Sequence, residues 1–547
     1  MTTDFLWWRD GIVYQIYPRS FVDSNGDGIG DLNGIRGKLD YLAELGIDAL
    51  WLSPIFASPD VDFGYDISDY YSIDHKFGTM KDFEALVKEA HRKGLRIILD
   101  MVMNHTSNKH AWFIEARSSR DNPTHDWYLW QDPAPNGKAP NNWQSMTGGS
   151  GWEYVPELDQ YYFHMYYKEQ PDLNWHNPKV RQAMLKAYRY WLDKGVDGYR
   201  LDLVNLYFKD SQFRNNPPKF GLRAFDQQKH VYDTDQPEML PLLHEIRQIM
   251  DEKPGRYLVG EPFIAISPLD FLYSGTAAIA SSYCREDLLH AIFCFDFLHS
   301  SWNAKRFRKS ILSWENSLKG KGWPTYVLAN HDNPRIATRY TRNENDARLK
   351  AAALMLLSLR GTPFIYSGDE IGMRDIYLKR SQIQDPVGKI YWPIYKGRDG
   401  CRAPLQWSAE ENAGFSSGCT PWLPVHSDYP TRNVDQQSQD PQSLLNFYKK
   451  LIDLRKQFPV LINGDFAMLE NIPASILAYR RTSNQHTALV MINFSHRRIE
   501  FNLADLATNH WVLLISTHPT KPDNLNTSSI ILDGDEALIF LQEKHQR

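Results

Sequence analysis

Cysteine is scarce: four in 547 residues is far below the density of a disulfide scaffold. Cys284, Cys294, Cys401 and Cys419 also lack the paired spacing of a zinc site, and they read as free thiols. No apolar run reaches the length needed to cross a bilayer, and the opening MTTDFLWWRDG has no basic segment leading into an apolar stretch. These absences predict a soluble, cytoplasmic protein. Excess positive charge is missing too: the formal net charge is −5 with no long basic run, which removes the electrostatic footprint of nucleic-acid or anionic-membrane binding. Neutral partners fit better. There is no internal repeat and no low-complexity tract. Apolar residues at 42% and charged residues at 23% are ordinary for a globular chain, and the length calls for two or more domains. The one excess is aromatic: 13%, with 17 Trp and 29 Tyr, rings that suit sugar faces and protein cores alike.

Eight short β-branched runs ending in polar residues mark the first two thirds: residues 13–18, 47–53, 95–101, 196–202, 256–261, 292–297, 325–332 and 362–370. Helical patterns over 34–46, 80–94 and 178–195, each closing on a glycine, alternate with them. Alternation of this kind with eight strands predicts an α/β fold, a (β/α)8 TIM barrel. Residues 105–172, rich in Trp, Asn, Pro and Gly, are too long for a barrel loop and read as a small inserted domain after the third strand. The barrel then spans 1–104 and 173–463, with an irregular excursion at 371–440 and a closing helix at 443–457. Alternating strands over 464–547 predict a C-terminal antiparallel β domain.

The stretch DSNGDGIGD (23–31) places oxygen donors like an EF-hand loop: Asp23, Asn25, Asp27, the Ile29 carbonyl and Asp31, with Gly28 at the turn. The twelfth position is Gly34 instead of a bidentate Glu, and the preceding residues are strand-like, so this is no EF-hand. Either a hard cation neutralises the acids or the carboxylates cap a turn.

In such a barrel the C-terminal strand ends face the active site. Here they carry Asp100 and His105, Arg200 and Asp202, Glu261, and His331 and Asp332. A single Asp at a strand end is usually a helix cap. Several converging acids instead raise the pKa of at least one, so that one carboxylic acid stays protonated beside an ionised neighbour. Glycoside hydrolysis needs that pairing. Arg200, on the same strand face as Asp202, would hold Asp202 ionised; Glu261, after the permissive Gly260, would be the acid.

The segments DMVMNH (100–105), GYRLDLVN (198–205), VGEPF (259–263) and LANHDNPR (328–335) resemble, in order, the four signature segments of the α-amylase superfamily of glycoside hydrolases. QPDLN (170–174) is similar to the fifth, in the form of the oligo-1,6-glucosidase and α-glucosidase branch. The resemblance implies that Asp202 is the nucleophile, Glu261 the general acid/base and Asp332 the acid that stabilises the oxocarbenium-like state. It implies that His105 and His331 bind glucose hydroxyls, that Tyr65 stacks under the ring with Tyr166 nearby, and that Asp66 and Arg402 grip the non-reducing end. For Tyr65 and Tyr166 a plain core role competes. It further implies structural Ca2+ or Mg2+ on residues 23–31, away from the sugar. The expected activity is exo-acting, retaining α-glucosidase action on short saccharides. The rivals are an oligo-1,6-glucosidase, a transglucosylase or sugar isomerase of the same fold, and a non-catalytic transporter-subunit ectodomain, which would need a membrane anchor and lost acids. Leu203, after the nucleophile, matches neither the Val associated with α-1,6 nor the Ala or Thr associated with α-1,4 linkage, so α-1,4 is only a preference.

Overall fold

Eight runs of four or so residues, apolar on both faces, can be buried only in a sheet covered on both sides. A computed structural model describes residues 5–263, 275–319, 321–341, 346–503, 511–518, 524–525 and 529–544. In it these runs form strands β1 (Val13–Ile16), β2 (Ala49–Leu52), β3 (Arg96–Met101), β4 (Gly198–Leu201), β5 (Tyr257–Gly260), β6 (Ala291–Ile292), β7 (Thr325–Val327) and β8 (Thr362–Tyr366). Their order, β6-β5-β4-β3-β2-β1-β8-β7, is parallel throughout. At the remaining seam the Cys294 N–H donates to the Thr325 carbonyl at 3.2 Å, so the barrel is nearly closed.

Two local expectations need correction. The run at 292–297 leaves the sheet after Ile292, and Phe295–Leu298 turns into a short helix. The helix expected over 34–46 is two pieces, Leu32–Gly37 and Leu39–Glu44, because the Lys38 N–H bonds the Ile35 carbonyl three residues back. The helices Met80–Arg92 and Pro178–Asp193 match their patterns; a Thr79–Asp82 capping box opens the first, and Asn177 with Pro178 opens the second.

Within residues 105–172 a three-stranded antiparallel sheet joins Trp130–Gln131, Gln160–Phe163 and Trp152–Val155. An antiparallel bridge between His105 and Asp172 brings the two ends of this excursion together. Its apolar face (Leu129, Trp143, Trp152, Phe163) packs with Leu203, Leu206 and Phe263 from the loops after β4 and β5, so the excursion is pinned over the catalytic mouth of the barrel. Beyond Gln457 the chain forms a six-stranded antiparallel sheet with core strands Ile476–Thr482, His486–Asn493 and Ala537–Glu543. Among the described residues, no helix is long and apolar enough to cross a membrane.

Candidate active site

Parallel register sets Asp100 of β3 beside Arg200 of β4, and Arg200 beside Val259 of β5. The residues just past the strands therefore converge. Gly260 lets β5 end close to its neighbours: a Cβ there would meet Leu289 Cδ1 at 2.7 Å and Val204 Cγ1 at 3.0 Å. The Glu261 N–H donates to the Leu201 carbonyl at 2.8 Å, and the Glu261 carbonyl accepts from the Val204 N–H at 2.8 Å, locking the acid's backbone to the segment that carries Asp202.

Arg200 organises the carboxylates. Its Nη1 donates to Asp100 Oδ1 and Asp202 Oδ1, each at 2.5 Å, and its Nη2 to Glu261 Oε2. All four side chains are buried. Burial raises Glu261 to about 8; Arg200 opposes this, and the charges of Asp202 and Asp332 reinforce it. Burial also raises Asp202, opposed by Arg200 and by a hydrogen bond from Glu261. The pair thus keeps one proton, held by Glu261, whose carboxyl is raised further than that of Asp202. Asp332 behaves oppositely. Burial would raise it, but the His331 ring, with Nε2 3.3 Å from Oδ2, and the guanidinium groups of Arg398 and Arg402 hold it well below the usual carboxylate range, with Arg402 Nη2 donating to Asp332 Oδ1 at 2.7 Å. One neutral acid and ionised carboxylates share one mouth.

These groups line a cavity of about 280 Å³ that includes Asp62, Tyr65, His105, Tyr166, Asp202, Glu261, Asp332 and Arg398. Tyr65 is fixed from below by a directed chain. Gln15 Nε2 donates to His331 Nδ1 at 2.8 Å; the other imidazole nitrogen meets the Tyr65 hydroxyl at 2.7 Å; and that hydroxyl donates to Asp100 Oδ2 at 2.9 Å. Burial lowers His331 to about 3, so the ring is neutral, a donor only at Nε2. It stacks on Tyr65 with centroids 5.4 Å apart.

The structure separates the expected residues into two sets. Asp202, Glu261, Asp332, Tyr65, His105 and Tyr166 face the cavity. Arg200, His331 and Arg402 stand behind these as buried side chains, with His331 Nε2 between the Tyr65 hydroxyl and Asp332 Oδ2. The expected Asp66–Arg402 pair is corrected. Asp66 is fully buried and accepts from Ser58 Oγ, the Val61 N–H and the Asp62 N–H, each at 2.9 Å; it builds a turn. That turn presents Asp62, which the sequence reading missed, to Arg398 Nη2 at 2.7 Å. Arg398 also pairs with Asp385 through Nε at 3.0 Å and approaches Asp332 at 3.4 Å. Asp62, Asp332 and Arg398 line the cavity, so this cluster makes a charged part of its wall. Asp62 lies four residues before Asp66, and Arg398 four before Arg402, so the motifs FGYDISDY and GRDGCRAPLQW held the signal nearby. Lys209 was also missed: its buried ammonium pairs with Asp172 at 2.7 Å and with Asn104 Oδ1 at 2.7 Å, tying the inserted segment to the loop that bears His105.

The loop 23–31 is held by its own side chains. Asp23 accepts from the N–H groups of Gly26 and Gly28, Asn25 Oδ1 from Asp27, Asp27 Oδ1 from Ile29, and Asp31 from Ser24 and Gly34. Among the described residues no three His, Cys, Asp or Glu side chains converge as metal ligands. The donor chemistry itself, carboxylates plus an amide and a carbonyl oxygen, suits a hard cation.

A barrel with this carboxylate cluster at its C-terminal mouth defines a glycoside hydrolase. The family model for the alpha amylase catalytic domain matches residues 15–464, and that for the maltogenic amylase C-terminal domain matches 466–534; the chain belongs to the α-amylase family. It is 42% identical to a probable alpha-glucosidase of Rhizobium meliloti, covering 89% of each chain. It is 40% identical to an oligo-1,6-glucosidase of Parageobacillus thermoglucosidasius over 91% of this chain and 92% of that one. The crystal structure of the alpha-glucosyl transfer enzyme XgtA superposes with a TM-score of 0.91 at 38% identity, over 98% of this chain and 100% of that one. The protein is a hydrolase of the α-glucosidase and oligo-1,6-glucosidase type.

Proposed function

We propose that the protein is an exo-acting, retaining α-glucosidase that releases glucose from the non-reducing end of short α-glucosides such as maltose. The observation that carries this reading is the single guanidinium of Arg200, which donates from one nitrogen to Asp202 and from the other to Glu261 and so holds the two carboxyls side by side. Retaining enzymes need their two carboxyls near each other, whereas inverting ones leave room for a water between them. Asp202 attacks C1 while Glu261 delivers its proton to the leaving oxygen; the glucosyl ester on Asp202 is then opened by a water that Glu261 deprotonates. Asp332, kept ionised, accepts hydroxyls of the same glucose and favours the positive charge that develops at the ring. Exo action is supported by the charged wall that Asp62 and Arg398 make beside Asp332, with Arg398 anchored by Asp385. Asp202→Asn, pure and folded, should lose nearly all turnover, and the first glucose seen by NMR before mutarotation should be the α-anomer. Wild-type-like activity in that variant, or β-glucose first, overturns the assignment.

A second reading, glucosyl transfer in place of hydrolysis, is favoured by the likeness to the glucosyl transfer enzyme. It shares every step up to the glucosyl-enzyme. Product analysis with maltose, isomaltose, sucrose and trehalose separates the two and assigns the linkage.

Residues 23–31 hold a structural Ca2+ or Mg2+ through Asp23, Asn25, Asp27, the Ile29 carbonyl and Asp31. What supports this is five hard oxygens in one turn outside the sugar cavity. Chelation should lower the melting temperature and leave the activity of folded protein nearly intact. A metal-free protein by elemental analysis, with unshifted melting on Asp27→Ala, supports the self-capped turn instead.

A further inference from the structure

The His331 ring is fixed in orientation by packing. It lies between two phenol rings, Tyr65 with centroids 5.4 Å apart and Tyr17 at 5.7 Å, both nearly parallel to it, and Trp51 meets it edge-on at 6.2 Å. Its backbone carbonyl accepts from Arg402 Nε at 2.7 Å and from Cys401 Sγ at 3.3 Å. What packing leaves open is which ring nitrogen carries the proton. On one side Nε2 meets two groups that can only accept from it: the ionised Asp332 Oδ2 at 3.3 Å, and the Tyr65 hydroxyl at 2.7 Å, whose own hydrogen goes to Asp100 Oδ2. On the other side Nδ1 meets Gln15 Nε2 at 2.8 Å. Gln15 is buried on β1, and its amide directs N–H groups to His331 Nδ1 and to Ser53 Oγ at 3.3 Å. Among the described residues its Oε1 has no partner, so this orientation is set by the donors, since a buried oxygen left unpaired costs stability. The charged groups that bear on the ring are Asp332, Arg402, Arg200 and Arg398; burial and the three guanidinium groups hold it neutral against the pull of Asp332.

We propose that Gln15 is a positioning residue for the glucosidase reaction: its amide N–H fixes the proton of His331 on Nε2, so that Asp332 receives a hydrogen bond from a neutral ring and keeps its full negative charge for the sugar. The proposal rests on the retaining α-glucosidase reading. An N–H aimed at Nδ1 leaves no room for a proton there, which excludes both the other tautomer and the imidazolium. Each of those would harm the site in its own way. With the proton on Nδ1, the Nε2 lone pair would face the Asp332 carboxylate and the Tyr65 oxygen, and Tyr65 would have to turn its hydrogen away from Asp100. An imidazolium would cancel the charge that Asp332 brings to the oxocarbenium-like state. That charge is used when positive charge develops on the sugar, so removal of the Gln15 donor should fall on kcat more than on KM.

Two substitutions and one spectrum test this. Gln15→Met keeps the length of the side chain without the donor; kcat for maltose should fall about tenfold to a hundredfold, the scale of one hydrogen bond to a charged group, with KM changed less than about threefold. Gln15→Glu brings a carboxyl that donates to Nδ1 while protonated and can only accept once ionised. It should recover activity relative to Gln15→Met at the acidic end of the profile and lose it again as pH rises, whereas a role in packing alone would leave both variants with the wild-type profile shape. 15N-histidine NMR reads the proton directly. In the wild-type protein the His331 signal, identified by its loss in His331→Asn, should show a bare Nδ1 and no titration between about pH 5 and 8. Gln15→Met should bring partial protonation of Nδ1. A protonated Nδ1 in the wild-type protein overturns the proposal, and so does a Gln15→Met protein with wild-type kcat or with an unchanged His331 signal; the glucosidase reading survives each of these results. If no glucoside is turned over at all, that reading fails, and the spectra still decide the tautomer. Should the substituted proteins not fold, neutron diffraction on the wild-type protein locates the same proton: one on Nε2 alone supports the proposal, and one on Nδ1 overturns it.

Discussion

At the scale of residues, one guanidinium does what several isolated charges could not. Arg200 is buried among three acids, Asp100, Asp202 and Glu261, and its contacts to them divide their shared charge unequally. The expected consequence is a bell-shaped dependence of kcat/KM on pH. Glu261 is raised by burial to about 8, so it is protonated at neutral pH, and activity falls as pH climbs past that value and the acid is lost. On the acid side, activity falls as Asp202 takes up a proton, above the ordinary carboxylate range because burial raises it. Glu261→Gln should flatten the alkaline limb and slow maltose far more than activated aryl glucosides, which need no proton at the leaving oxygen. An unmoved alkaline limb would assign that limb to another group. Arg398→Ala, which frees Asp62 and removes the cation from the cavity wall, should raise KM for maltose about tenfold with a smaller change in kcat. Steady-state kinetics read the split; a loss confined to kcat would move Arg398 from binding into transition-state stabilisation.

At the scale of elements, the strand ends work because their backbones approach more closely than side chains normally allow. Gly260 is the narrow point, since any Cβ would press on Leu289 and Val204. Gly260→Ala should cost about 1–3 kcal/mol in denaturant unfolding, the usual cost of overpacking. It should also reduce kcat, because the Val204–Glu261 backbone bond passes through the displaced segment. Normal stability with normal kcat would show that the neighbours give way freely. Leu203 adds a second local constraint: it sits in the left-handed region at φ 50, unusual for a bulky residue, immediately after Asp202. Its packing with Phe263 and the inserted segment holds it there.

At the scale of the whole molecule, the barrel and the C-terminal sheet are joined through two buried arginines. Arg481, on strand Ile476–Thr482, donates to the carbonyls of Ser358, Leu461, Ile462 and Gly464, and Arg455 to those of Leu357, Leu359, Gly361 and Leu461. These carbonyls lie at the ends of helices Ala347–Ser358 and Val460–Asn463, where partial negative charge accumulates. Burial lowers Arg481 to about 10 and Arg455 to about 9, yet both remain charged at neutral pH. Arg481→Met takes the arginine donor from the carbonyls of Ser358, Ile462 and Gly464, leaving Leu461 to Arg455, and should cost about 3 kcal/mol, read as a lower melting temperature. If melting is unchanged, the sheet is held by its apolar contacts alone.

The sequence by itself determined the barrel, its eight strands and the C-terminal sheet, because burial pattern and period are local properties that a strand carries wherever it packs. It also marked the acids at the strand ends, since a polar residue closing an apolar run has one place to go in a barrel. What only the tertiary structure decided was which of two like residues faces the cavity. Asp62 and Asp66 are both acidic and four residues apart, and Arg398 and Arg402 are both cationic at the same spacing. A turn wrapped on the Asp66 carboxylate turns Asp62 toward an arginine 336 residues away, and His331 is placed behind Tyr65 by Gln15, 316 residues earlier. Such choices depend on loops meeting across the mouth of the barrel, and no local pattern encodes a contact whose partner lies hundreds of residues away.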